Sequence, residues 1–162
     1  MIYRIFPQKD TFIANVRIND VVKTGSNVGA SETLQLFKLS GSMHPGDDCS
    51  RILMKFDVSD VGQIVPTSGA EYHLKLHDMQ HSDELPSSFD VEISSLEQDW
   101  DEGHGIDVDL YTDVGYANWD KAKATTLWST PGATITGTIV SAHFDTGHED
   151  LDSDITDIVS GW

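Results

Sequence analysis

Cysteine is almost missing from this chain. Cys49 is the single one in 162 residues, which excludes a disulfide framework and fits assembly in a reducing compartment. Long apolar runs are missing too. No stretch approaches the roughly 18 consecutive apolar residues of a membrane-spanning helix, so no membrane partner is expected. The opening residues, MIYRIFPQKDTF, lack the basic start and apolar core of a secretion signal. Basic residues are scarce, 10 Lys and Arg against 27 Asp and Glu, for a net charge of −17. The scarcity is local. Residues 1–77 carry eight of each sign, whereas residues 78–162 carry two basic and nineteen acidic side chains. Binding to a phosphate backbone needs clustered Lys and Arg, so nucleic acid is not an expected partner. An acidic surface suits solubility, high salt, cations or a basic partner.

Catalytic signatures are absent as well. There is no GxSxG nucleophile elbow, no glycine-rich phosphate loop with its lysine, and no HExxH. Gly103-His104-Gly105 is too short to count as a dinucleotide fingerprint. The expectation is a protein that is not an enzyme. A glycosidase needs only two suitably spaced carboxylates, but an abundance of acids does not by itself mark such a pair.

What is present is a set of short strands separated by turn residues. Ile2–Phe6 and Thr11–Ala14 are short β-type runs broken by Pro7, and residues 15–32 read as loop. Leu34–Leu39 reads as a strand, and Gly41–Asp48 as a turn-rich connection. Ser50–Val58 alternates cleanly, with Ile52, Met54, Phe56 and Val58 inward and Arg51, Lys55 and Asp57 outward. Glu71–Met79 does the same, with Tyr72, Leu74 and Leu76 inward and His73, Lys75 and His77 outward. Phe89, Val91 and Ile93 begin another strand, but Leu96 and Trp100 fall on the opposite parity, which predicts a bulge near Ser94-Ser95. Residues 121–127 leave strand and helical turn open. Thr134–Val140 is a strand continuing through the inward Ala142 and Phe144, and Leu151 belongs to a last extended piece. Ile155, Ile158, Val159 and Trp162 predict a short amphipathic helix that Thr156 or Asp157 would cap. The fold expected is all-β, an antiparallel sandwich in one domain over 1–162, with a short C-terminal helix.

The stretch Leu96–Trp119, LEQDWDEGHGIDVDLYTDVGYANW, has no sustained periodicity and so reads as a long, specific loop. Such loops usually serve binding, docking or metal coordination. Trp100, Asp101, Glu102, Gly103, Gly105, Asp107 and Trp119 are its candidate interaction residues. Asp99, Asp101, Asp107 and Asp109 offer the hard oxygens that calcium prefers, so calcium is the one cofactor worth weighing. The EF-hand spacing fails, since position 12 is Leu110 counted from Asp99 and Asn118 counted from Asp107. Trp100, Trp119 and Trp128 could stack on sugar rings, but large aromatics more often anchor loops into a core. His73, His77 and His81 would share a face on a helix; on a strand Lys75 lies between the first two and would repel a cation, so an exposed strand face is the expectation.

Four stretches carry a resemblance: YRIFPQKDTFI, SRILMKFDVSD, DWDEGHGIDVDLYTD with its downstream ANW, and FDTGHEDLDSDITDIVSGW. Together they resemble a family of virion structural proteins from tailed bacteriophages, mainly of marine and cyanobacterial hosts. The strand motif is also distantly similar to DNRLRE-type carbohydrate-binding modules. The resemblance implies a jelly-roll sandwich with no catalytic residues, located in the virion after assembly in the host cytoplasm. Its implied partners are other virion proteins and copies of itself, on capsid, neck or tail. It also implies further sequence beyond the segment like DITDIVSGW, so the sandwich here is expected to lack strands or to close differently. The alternatives are a carbohydrate-binding module for host-surface glycans, with or without calcium, and a polysaccharide hydrolase that would need an acid pair.

Overall fold

The computed structural model describes residues 2–40, 47–59, 69–79, 81, 85–111 and 115–162. The fold is mostly β, its sheets are antiparallel, and a short helix lies near the C-terminus. The chain forms two compact units, each assembled from separate stretches. One comprises residues 1–59 and 98–134, the other 60–97 and 135–162.

The first unit is built on four strands: β1 (Lys9–Ile18), β2 (Val21–Lys23), β3 (Lys38–Ser40) and β4 (Asp47–Lys55), in the order β2-β1-β4-β3. Residues 2–7 form no strand, and the strand expected over 34–39 is confined to β3. Of the turn-rich connection expected over 41–48, residues 41–46 lie outside the described residues. β1 instead runs past Ala14 into the stretch read as loop. Asn19 and Asp20 then turn it into β2, both at positive φ (50° and 64°) between the paired residues Ile18 and Val21. This is the backbone of a tight hairpin turn, and Asn and Asp tolerate it better than most residues.

β1 is buried on both faces, which explains why its apolar residues run continuously through Phe12, Ile13 and Ala14. The register Phe12↔Ile52 and Ala14↔Ser50 places Ile52 beside Phe12. Val28, Val16, Phe37 and Val108 complete the cluster on that side. The opposite face carries Thr11↔Leu53 and Ile13↔Arg51. The outward residues read for this strand, Arg51, Lys55 and Asp57, are exposed. Leu53, of the same parity, is the exception at 3% exposed. Arg51 holds its guanidinium 5.4 Å from the Trp119 ring and donates to the carbonyls of Gly132 and Ala133.

Residues 121–127 form a small hairpin, β7 (Lys121–Lys123) with β8 (Thr126–Leu127). Between β4 and β7 in the chain come β5 (His73–Leu76) and β6 (Phe89–Leu96), which belong to the second unit together with β9 (Ile135–Phe144) and β10 (Leu151–Asp154). β6 pairs with β9 and β5 with β10. The β6–β9 register shifts between Ser94 and Ser95, where the parity switch predicts a bulge. Val140, Ala142 and Phe144 turn to the more buried side of β9, and Leu74 and Leu76 to that of β5. Helix α1 (Thr156–Val159) packs against β9 and buries Ile158. Its capping differs from expectation. Ile155 holds the N-cap position without a side-chain bond, while the Thr156 hydroxyl accepts from the Tyr72 N–H and Asp154 accepts from the Thr156 N–H.

Candidate functional site

The stretch expected to be a long loop has no helix or strand among its described residues from 97 to 120. It is nonetheless fixed, and by asparagine. Asn27, fully buried, lies among the loop's backbone and uses its whole side-chain amide. Its Nδ2 donates to the carbonyls of Glu102 (2.8 Å) and Ala117 (2.9 Å), and its Oδ1 accepts from the N–H of Gly105 (2.9 Å) and Gly29 (3.4 Å). One side chain thus does for two loops what a strand partner does for a ladder.

The Gly-x-Gly spacing follows from this platform. At Gly103, where φ is +85°, a side-chain carbon would overlap the Asn27 amide and lie 2.6 Å from Tyr116 Cβ. At Gly105 it would overlap the Asn27 carbonyl. Only glycine lets the backbone approach so closely. Glu102 extends the arrangement, its Oε1 accepting from the Asp10 N–H at 2.7 Å.

A second asparagine, Asn118, closes the loop's far end. Its Oδ1 accepts from the N–H groups of Asp120 and Lys121, and its carbonyl accepts from the Trp128 indole at 2.8 Å. Trp100 and Trp128 are buried, and Trp119 is half-buried between Arg51 and Gly132. The tryptophans are anchors, and Trp100 and Trp128 present no stacking platform. Asp101 serves through its backbone, which joins Ala122 and Ala117.

The four aspartates weighed for calcium are scattered. Asp99 sits among three ammonium groups, Lys55 and Lys123 at 2.8 Å and Lys9 at 3.8 Å. The Lys123 ammonium first, then that of Lys55, holds its carboxyl far below the usual carboxylate range. Three cations around one carboxylate repel a further one. Asp107 caps the turn that follows it, accepting from the N–H groups of Asp109 and Leu110, while Asp109 lies 3.9 Å from Lys23. Asp113, a further carboxylate of the same stretch, lies outside the described residues. Among the described residues, three or more potential ligand atoms come within 4.8 Å of one another only at Asp78, His81 and His148.

The first two histidines of the spaced set stay on the exposed face of the second unit, His73 bonded to Asp152 at 3.0 Å and His77 to Asp150 at 2.8 Å. A cleft of about 430 Å³ runs along residues 140–144 and 149–154. Asp150 and Asp152 on its wall are bound to those histidines and to Lys75.

Asn27 and Asn118 were not legible as site residues. Each reads in the sequence as an ordinary loop asparagine, and what distinguishes them is a partner stretch far along the chain. A scan of protein-family models and searches of curated proteins and of solved structures find no match to this chain.

Proposed function

We propose that this chain is a non-catalytic virion structural protein of a tailed phage, a capsid-decoration, neck or tail component. It acts through contacts with other virion proteins and with copies of itself, and its antiparallel sheets belong to a sandwich of jelly-roll type. The 96–119 loop is the interaction element. One observation carries this reading. The loop is held by Trp100, Asn27 and Asn118, yet turns Ile106 (53% exposed) and Leu110 (77% exposed) outward on the two sides of the Asp107-capped turn. Apolar side chains on a pre-organised backbone lose little entropy on docking, so their burial converts efficiently into affinity.

The glycan-binding alternative draws no support from Trp100 or Trp128, whose rings are in the core. The test separates anchor from contact. Ile106→Asp combined with Leu110→Asp leaves the melting temperature unchanged and abolishes incorporation into particles. Normal incorporation of that double variant would remove the loop from the interface.

A further inference from the structure

Asp78, His81 and His148 converge on the second unit although His148 is far from the other two in sequence. His81 Nε2 lies 4.0 Å from Asp78 Oδ1, and His148 Nδ1 lies 3.8 Å from Asp78 Oδ2. The two imidazole rings are 5.4 Å apart, centroid to centroid, and inclined by 34°. We propose that these three side chains form a binding site for a borderline divalent transition ion, with Zn²⁺ as the reference case.

The chemistry of the set favours that class. Two imidazole nitrogens and one carboxylate are donors typical of zinc, whereas calcium and magnesium prefer oxygens throughout. Metal–ligand bonds of roughly 2.0–2.2 Å in a tetrahedron place neighbouring ligand atoms about 3.4 Å apart. The two imidazole nitrogens face different oxygens of Asp78, at 4.0 and 3.8 Å, and one ligand atom from each of the three residues lies within 4.8 Å of the others, so side-chain rotation has to draw the set together around an ion. Three protein ligands leave a fourth position for water.

The supporting contacts hold two of the ligands in place, as metal sites require. Asp150 accepts from the Asp78 N–H at 2.9 Å and is itself bonded to His77, so the backbone that presents Asp78 is fixed. The turn that presents His148 is stapled by Glu149, whose carboxylate accepts from the N–H groups of Asp145 (3.0 Å), Thr146 (2.6 Å) and Gly147 (2.7 Å). At Gly147, where φ is +83°, a side-chain carbon would come within 3.1 Å of Leu85 and 3.2 Å of Phe89. The carboxylates of Asp145, Glu149 and Asp150 add a negative field that favours a cation. Occupation would tie the segment after β5 to the β9–β10 turn, and so would stabilise the second unit.

This site is independent of the loop's proposed role, and its test does not involve particles. Zn²⁺ alone is titrated into the purified, chelator-treated chain by calorimetry, and histidine ring resonances are followed by NMR. The result expected is one ion per chain, a raised melting temperature, and perturbation centred on His81 and His148. His148→Ala and His81→Gln each weaken binding roughly tenfold or more. His143→Ala, whose histidine pairs with Asp90 at 2.9 Å, binds as wild type. Absence of binding at millimolar Zn²⁺ would overturn the proposal, as would unchanged affinity in both ligand variants.

Discussion

Replacing Asn27 by alanine removes four hydrogen bonds at once and leaves the carbonyls of Glu102 and Ala117 and the N–H groups of Gly29 and Gly105 without their side-chain partner. Unsatisfied buried polar groups cost about 1–3 kcal/mol each, with partial relief from water. Asn27→Ala is therefore expected to lower stability on the order of 3 kcal/mol in urea unfolding. Gly103→Ala acts on the same contact from the other side and is expected to lose about 2 kcal/mol or more through strain and overlap. Asp99 gives a pH signature. Its folded pKa is depressed below 3.8 by Lys123 and Lys55, so its contribution is present above that value. It is lost as the pH falls below 3.8 toward the folded value. The side chain is 47% exposed, so solvent screens the pairing. The stability difference between wild type and Asp99→Asn, measured by urea midpoint, is expected to shrink as the pH is lowered through this range, and to be largest near neutrality.

At the scale of elements, periodicity was informative wherever one face of a strand is more buried than the other. The alternation in β5, the inward residues of β9 and the bulge in β6 were all legible, because each depends on neighbours along the same strand. β1 was read less well, as a run ending at Ala14, and the burial of Leu53 in β4 was not read. Ile13 and Leu53 are buried beside the exposed Arg51, whose guanidinium meets Trp119 and the carbonyl of Gly132, and no local pattern signals such distant partners. The loop's irregularity was legible, and so was the anchoring use of its tryptophans. The reason for Gly103 and Gly105 was not, because it lies in Asn27. Trp100→Ala is expected to cost about 3–5 kcal/mol, the range for removing a large buried aromatic. Calorimetric melting of that variant beside Ile106→Asp, which should be nearly neutral, separates the loop's inner from its outer surface.

For the whole molecule, two features bear on function. No helix among the described residues is long and apolar enough to cross a membrane. The acidic residues concentrate after residue 77, and unpaired ones there repel phosphate backbones and attract cations or basic protein surfaces. Large apolar side chains remain exposed in both units, Leu110 and Ile106 in the first and Ile135, Ile139 and Trp162 in the second. Scattered exposed apolar residues are ordinary, and the pair on the Asp107-capped turn is the surface that the proposed docking would use. The central claim is that this loop docks the chain into a larger assembly. The most direct measurement is cryo-electron microscopy of the particle that contains the chain. The account predicts symmetric copies on capsid, neck or tail, with Ile106 and Leu110 inside a protein–protein contact. A chain absent from particles, or bound with that turn open to solvent in every copy, would contradict it.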